Sequence, residues 1–469
     1  NMRKIKILFI CHGNICRSPM AEFVMKDMAA KAGAGERVVI DSAATSTEEL
    51  GNPVYPPARR ELAAHGVVCG PHTARQMTRA DYDKYDLLIG MDSANIRNMT
   101  RICGGDPAGK IHRLLDYTAR PGDVADPWYT GDFDATWRDV TEGCAALLEE
   151  LKNKIFSGEM ITKDEAMSLI DAPLDELCKA ADEIREKFCD NVFDICTIIN
   201  AKSGRCSEDC KYCAQSAFHC TNVEEYPLLD KETVVNAAKK SADKGIKRFS
   251  LVASGKRLSD SEVDKVCEII KEIRKISDIS VCASLGLLNE EQFKRLKDAG
   301  LTRVHNNLES SRNYFPNVCT THTYDDKINA IKAAKKAGLS VCSGGIAGLG
   351  ESMEDRIDMA FEVRNLGVSS MPVNMLNPIK GTPYENNKKL TKDDMRRICA
   401  IFRFINPSAA IRLAGGRILL DDGGKSCFES GANAAISGDM LTTTGETVMS
   451  DMQLIKSLAF TAGLLDEVK

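Results

Sequence analysis

Cys206, Cys210 and Cys213 stand in the stretch GRCSEDCKYCAQS at the spacing C-x3-C-x2-C, with Tyr212 directly before the last thiol. Three thiolates on one short loop can hold three irons of a cubane cluster and leave a fourth iron open to a small molecule. Such a group is reactive rather than structural. A zinc loop would want four closed ligands, and no second paired Cys or His motif follows closely. Three incidental buried cysteines are the other bland reading.

A second constellation lies near the start of the chain. CHGNICRS follows a short apolar run, Lys4 to Ile10, and precedes a helical pattern from Pro19 to Ala30. A Cys, five residues and an Arg between strand and helix make an anion cradle, because backbone N–H groups and the helix N-terminus face the loop centre. That field stabilises a thiolate at Cys11 and a phosphate above it. Arg17 can grip two phosphate oxygens at once, Ser18 can hydrogen-bond the sulfur, and Asn14 can brace the loop. Cys16 could form a protective disulfide with Cys11 under oxidation, although such a neighbour is more often a small packed residue.

The elements that position these groups follow from length and pattern. A chain of 469 residues suits two or three domains. Its 43% apolar and 28% charged residues are ordinary for a soluble globular protein. The net charge is −5 with basic residues spread along the chain, so neither a nucleic acid nor an anionic lipid surface is expected as a partner. Eighteen cysteines fall in reactive-looking motifs and on helical faces rather than in a short secreted scaffold, which points to a reducing, oxygen-poor cytoplasm. The run Ile5 to Ile10 is too short for a signal peptide, and nothing resembles a membrane span. Asn1 before Met2 reads as a cloning remnant.

A first domain is expected over 2–156, closed by an amphipathic helix from Phe133 to Phe156 with Trp137, Val140, Leu147, Leu148 and Leu151 on its apolar stripe. Ser157-Gly158-Glu159 is a polar break, and 157–193 reads as a linker followed by the N-terminal helices of the second domain, Thr162 to Leu169 and Leu174 to Phe188. Apolar strand candidates recur at 194–199, 248–253, 279–285, 302–308, 339–346, 370–376, 410–414 and 432–437. Eight units predict a closed parallel TIM-type (βα) barrel over 194–469, with an open doubly wound sheet as the alternative. The thiol loop then follows the first strand, at the face where such barrels keep their chemistry.

CHGNICRS together with the distant Asp126-Pro127-Trp128-Tyr129 resembles the low-molecular-weight protein tyrosine phosphatases, to about residue 156. The resemblance implies an open parallel sheet with helices, Cys11 as nucleophile, Arg17 as the stabiliser of the equatorial oxygens and Asp126 as general acid. DSAATSTEELGNPVYPP is similar to that family's specificity loop, except that Glu48 stands where an aromatic residue is usual. An acid there weakens the case for phosphotyrosine and would repel acidic peptides, while Ile15 fits tyrosine-type members. The substrate is expected to be a phosphorylated protein or a small phosphomonoester.

The C-x3-C-x2-C loop resembles the radical S-adenosylmethionine family, in which the open iron of a 4Fe-4S cluster takes up S-adenosylmethionine and an electron cleaves its sulfonium bond. More narrowly, NAKSGRCSEDCKYCAQS, CASLG, NNLESS, CSGGIAGLGE, VNMLNPIKGTP, RLAGGR and ESGANAAISGDMLTT resemble the biotin synthase family, in that order. The resemblance implies sulfur insertion into dethiobiotin, an electron donor such as flavodoxin or ferredoxin, and a second iron–sulfur cluster. Tyr212 would hold the adenine edge through its backbone. Asn307 and Glu309, at alternate positions of the fourth strand, would contact ribose and substrate, and Asn374 the substrate. Gly344 and Gly345 would let backbone approach the nucleotide. Structural hydrogen bonds and simple turns are the alternatives for these residues.

The familiar second-cluster set is three Cys and one Arg. Cys282, Cys342 and Arg412 match three of those positions, but Ser250 occupies the remaining Cys position. Cys196, on the neighbouring strand, is the replacement expected here, so Cys196, Cys282 and Cys342 would bind an auxiliary cluster of altered nuclearity, as in a type expected of anaerobes. A buried small hydrophobe is the alternative for Cys196. The competing function is radical chemistry on another substrate, with the N-terminal module a phosphate-binding appendage. The oligomeric state is open, a homodimer among the options.

Overall fold

The structure is a computed structural model describing residues 5–31, 38–118, 120–443 and 445–465. They divide into two compact units, Asn1–Ser157 with Ser168–Glu176, and Gly158–Met167 with Leu177–Lys469. Of the linker and helices expected to open the second domain over 157–193, Gly158–Met167 and the residues from Leu177 fall in the second unit and Ser168–Glu176 in the first.

In the first unit β1 (Ile5–Cys11), β2 (Val38–Ala44), β3 (Leu87–Gly90) and β4 (Ile111–Arg113) form a parallel sheet in the order β2-β1-β3-β4. β1 is apolar almost throughout because both its faces are covered. Phe9 and Cys11 join one apolar cluster, and Leu8 and Ile10 join the other. The strand order reverses at β1, so Cys11 at its carboxyl end occupies the switch point where open sheets bind ligands. The closing helix, Phe133–Phe156, starts where Asp132 accepts from the Ala135 N–H. Val140 is buried and Trp137 half-buried, whereas the side chains of Leu147, Leu148 and Leu151 lie outside the described residues.

The second unit is a closed parallel barrel. Its strands are β5 (Val192–Lys202), β6 (Arg248–Ala253), β7 (Ser280–Ser284), β8 (Arg303–His305), β9 (Ser340–Cys342), β10 (Gly345–Ala347), β11 (Ser370–Met375), β12 (Ala410–Leu413) and β13 (Ala434–Ser437). β13 pairs with β5 from Ala434 opposite Asp194, and β9 and β10 both pair with β11, which closes the ring. The open-sheet alternative is thereby excluded. β9 and β10 are two pieces of one barrel strand, broken where a Cβ on Gly344 would stand 2.0 Å from the Pro372 carbonyl oxygen. A Cβ on Gly345 would stand 2.4 Å from the Glu309 carbonyl oxygen. Neighbouring backbone therefore requires both glycines, whatever ligand lies near them.

The fourth barrel strand is shorter than the pattern suggests. β8 ends at His305, so Asn307 and Glu309 lie beyond it and their placement does not come from strand alternation. Glu309 turns the chain with a left-handed φ of 70° and bridges to Gly345. A further strand, β14 (Thr461–Ala462), pairs with the start of β5 and was not signalled by the sequence.

Candidate functional site

The loop from Cys11 to Ser18 is held by hydrogen bonds within the first unit. The Asn14 N–H donates to Cys11 Sγ at 3.3 Å, and Ser18 Oγ lies 3.0 Å from the same sulfur. Asn14 takes a left-handed φ of 59°, a conformation Asn tolerates better than most residues. Its Nδ2 donates to Ser18 Oγ at 3.0 Å and Ser42 Oγ at 2.7 Å, and its Oδ1 accepts from the Arg75 N–H at 3.2 Å. His72 Nε2 donates to the Asn14 carbonyl at 2.8 Å. Behind the loop, burial would raise Glu22, but hydrogen bonds from His72, Lys26 and Ser42 outweigh it and hold the carboxylate below its usual range.

Arg17 is buried and divided among three partners: Asp92 at 2.9 Å, the Val124 carbonyl at 3.3 Å and Asp126 at 2.6 Å. Asp126 also accepts from the Trp128 N–H at 3.0 Å, so Arg17 fastens the D-P-W-Y turn beside the cradle. Burial foremost, and then the Cys11 sulfur, push the Cys16 thiol up to about 12, so it is protonated at neutral pH. Glu48 makes an exposed pair with His12, Oε2 to Nε2 at 3.0 Å. Asp92, His72 and Glu22 carried no local motif, and sequence reasoning missed them; Ser42, inside the stretch likened to the specificity loop, was not singled out.

In the barrel, β5 runs into a turn through Gly204 and Arg205, both left-handed, and the thiol loop then closes on its own backbone. The Cys206 N–H donates to the Gln215 carbonyl at 2.9 Å, Ala217 N–H to the Cys206 carbonyl at 2.8 Å and Cys213 N–H to the Cys210 carbonyl at 3.0 Å. All three thiols line a cavity of about 390 Å³. Among the described residues, only Cys210, Cys319 and His322, and Glu61, His65 and Asp134, bring three metal-ligand atoms within 4.8 Å of one another. One zinc ion with bonds of about 2.3 Å needs sulfurs closer than that. Cys206, Cys210 and Cys213 are not such a group among the described residues, so their sulfurs are not gathered as one zinc ion would hold them.

Tyr212 donates its hydroxyl to Glu309 Oε1 at 2.8 Å. Glu309 Oε2 and Asn306 Nδ2 are buried with no hydrogen-bond partner, an acceptor and a donor beside the thiols. That pair fits the hydroxyls and ring edges of a nucleoside. Asn307 Oδ1 accepts from the Gly344 N–H at 3.2 Å. Asn374 donates to the Gly345 carbonyl at 3.0 Å and accepts from the Gly415 N–H at 2.8 Å, so its amide already stitches neighbouring segments together. Asn307 and Asn374 both line the cavity.

Cys196, Cys282 and Cys342 line the same cavity, in company with a charged network. Fully buried Asp194 pairs with Arg248 Nη2 at 3.0 Å and Arg412 Nη2 at 2.9 Å, with Arg303 at 3.9 Å. Burial opposes the Asp194 charge, but the three guanidiniums hold its carboxyl well below the usual range. Three cations against one anion leave a positive field around the thiols. Burial also works against a Cys342 thiolate, yet His305, Arg412 and Arg303 outweigh it and draw the thiol down to about 6. Burial, reinforced by Cys282, pushes Cys196 up to about 12. Arg412 Nη1 donates to the Asp194 and Ala435 carbonyls at 2.8 and 3.2 Å. Arg248 donates to Cys282 Sγ at 3.5 Å. Asp194, Arg248, Arg303 and His305 were missed from sequence, although charged residues opening apolar strands were a readable signal.

Comparison with known proteins agrees with this partition. Residues 6–157 match the family described as low molecular weight phosphotyrosine protein phosphatase, 201–363 the radical SAM superfamily, and 372–461 the biotin and thiamin synthesis associated domain. The biotin synthase of Brachyspira hyodysenteriae is 60% identical over 320 residues, 68% of this chain and 96% of that protein. The chain belongs to the biotin synthase family. Biotin synthase 2 of Corynebacterium diphtheriae is 56% identical over 318 residues, again 68% of this chain and 96% of that protein. The FeFe-hydrogenase maturase HydG of Carboxydothermus hydrogenoformans shares the fold at 17% identity and a TM-score of 0.58, over 70% of this chain and 81% of that one. This biotin synthase family member thus carries a low-molecular-weight phosphatase domain at its N-terminal side.

Proposed function

We propose that the barrel inserts sulfur into dethiobiotin and that the N-terminal unit hydrolyses a phosphomonoester through Cys11. One observation supports the first reading above others: a single cavity is lined by Cys206, Cys210 and Cys213 and also by Cys196, Cys282 and Cys342. The first set would hold a 4Fe-4S cluster, with S-adenosylmethionine against Tyr212, Asn307 and Glu309. The second would hold the auxiliary iron–sulfur cluster, with Arg412 as its fourth neighbour. When bound, these groups supply hydrogen-atom abstraction from dethiobiotin and the sulfide for two new carbon–sulfur bonds, given an electron donor such as flavodoxin or ferredoxin.

The chain's own part is to hold and shield. The Asp194 network sets a positive field that favours thiolates, and Ile198, Val252 and Leu376 make part of the wall apolar and so limit water. In the phosphatase unit Cys11 attacks phosphorus, Arg17 binds the equatorial oxygens, and Asp126 protonates the leaving oxygen before serving as base for hydrolysis of the thiophosphate. The exposed Glu48–His12 pair favours phosphomonoesters whose surroundings are not acidic.

The test uses the whole chain, reconstituted without oxygen and given reductant, S-adenosylmethionine and dethiobiotin, with products read by mass spectrometry. Biotin is expected. Deoxyadenosine without biotin, on fully loaded protein, would overturn the substrate. Turnover of an aryl phosphate that persists in Cys11→Ser would overturn the phosphatase assignment.

A further inference from the structure

Cys342 has a polar neighbour in register on each side. On β9 it pairs with His305 of β8 and with Ser370 of β11. Neighbours in register on parallel strands present their side chains to the same face, and Cys342 and His305 both line the cavity. Ser370 is fully buried, with its Oγ 3.2 Å from Cys342 Sγ. That oxygen also accepts from Arg412 Nε at 3.5 Å, so the hydroxyl hydrogen is left for the sulfur once Cys342 is a thiolate. One hydroxyl thus links Arg412 to Cys342. From the other side the His305 ring hydrogen-bonds the same sulfur. The companion thiols are served differently: Cys196 Sγ donates to the Thr197 carbonyl at 3.2 Å, and Cys282 Sγ accepts from Arg248 Nη1 at 3.5 Å.

We propose that Ser370 and His305 are positioning residues that donate hydrogen bonds to the Cys342 sulfur and raise the reduction potential of the group this sulfur holds. The proposal rests on the reading of Cys196, Cys282 and Cys342 as the auxiliary iron–sulfur site. Reduction adds negative charge to a cluster and its ligand sulfurs, so donors aimed at a sulfur stabilise the reduced state more than the oxidised one. By doing so the two residues ease the electron transfer that carbon–sulfur bond formation demands. Of the carbon radical's one electron and the sulfide's pair, two make the bond and the third is left for iron.

The test uses the whole chain, reconstituted without oxygen and poised with redox mediators, with the two iron populations followed by Mössbauer and electron paramagnetic resonance spectra. Ser370→Ala and His305→Leu are each expected to keep full auxiliary iron. At a fixed potential each should lower the reduced-to-oxidised ratio of that iron about tenfold, ~59 mV for one electron. The iron held by Cys206, Cys210 and Cys213 should not move and serves as the internal reference. Ser370→Thr and His305→Gln keep a donor and are expected to recover most of the shift. In deuterated water, electron–nuclear double resonance should show an exchangeable deuteron coupled to the auxiliary iron, weakened in Ser370→Ala and kept in Ser370→Thr. Full auxiliary iron with an unmoved potential in Ser370→Ala or His305→Leu would overturn the proposal. An equal shift in Ser370→Thr, or loss of auxiliary iron in both Ser370 variants, would trace the effect to packing and overturn it as well. Wild-type chain without auxiliary iron would remove the reading beneath it, a failure visible in the iron count before any potential is measured.

Discussion

The loop around Cys11 and the cavity around Cys206 both present thiols, but they are prepared for different events. At the loop, Asn14 spends its side chain on Ser18, Ser42 and Arg75, and Arg17 is divided between two carboxylates and a carbonyl. On the proposed reading the nucleophile Cys11, the cation Arg17 and the acid Asp126 are all side chains of the chain itself. The barrel cavity instead keeps Glu309 Oε2 and Asn306 Nδ2 unpartnered and surrounds its thiols with more guanidinium than carboxylate. On the same reading it is shaped around groups it must import. The difference teaches that internally satisfied polar groups mark a site that needs only substrate, whereas buried unsatisfied ones mark the outline of a cofactor.

The sharpest way to break this comparison is a pair of reciprocal variants. Cys11→Ser should cut aryl phosphate turnover by about a thousandfold or more without changing iron content. Cys206→Ala should abolish deoxyadenosine formation and leave aryl phosphate turnover as it was. If either variant disables both activities, the sites are not independent. Asp126→Asn comes next, with kcat expected to fall by about 10²–10⁴ and most for poor leaving groups. A uniform loss across leaving groups would deny Asp126 its role as acid.

On the barrel side, Asp194→Asn leaves three buried guanidiniums without their shared anion and should lower stability by about 3–5 kcal/mol, read by denaturant unfolding of the cluster-free chain. The smallest effect concerns Cys16. Its thiol, raised from 9.0 to about 12, should alkylate slowly at pH 8 in the wild-type protein, followed on the Cys16 peptide by mass spectrometry, with a rate rising about tenfold per pH unit toward pH 12. Because the folded-state value is the higher one, the protonated thiol's contribution to stability is whole below pH 9 and is lost as pH climbs toward 12.

What could be read from the sequence was what sits close in the chain. C-x3-C-x2-C is one loop, and Cys11 to Arg17 is one turn between a strand and a helix, so residue type and spacing carried the chemistry directly. The eight barrel strands were legible because buried parallel strands are short apolar runs. The end of β8 was not, because Glu309 turns the chain left-handed after a stretch whose composition still looks like strand. Asp92 and His72 reach the cradle from 75 and 58 residues away, and no local pattern sets them apart from other polar residues. Asn374 was legible only through the family resemblance, and its bonds to Gly345 and Gly415 depend on tertiary register.

The most direct test of two separate imported groups in one cavity is to count iron and sulfide in reconstituted wild-type, Cys206→Ala and Cys196→Ala chains, with Mössbauer spectra to sort the irons. Two populations are predicted for the wild type. Cys196→Ala should lose only the auxiliary population and still form deoxyadenosine, and Cys206→Ala should lose only the other. Unchanged iron in Cys196→Ala, or loss of all iron in either variant, would contradict the account.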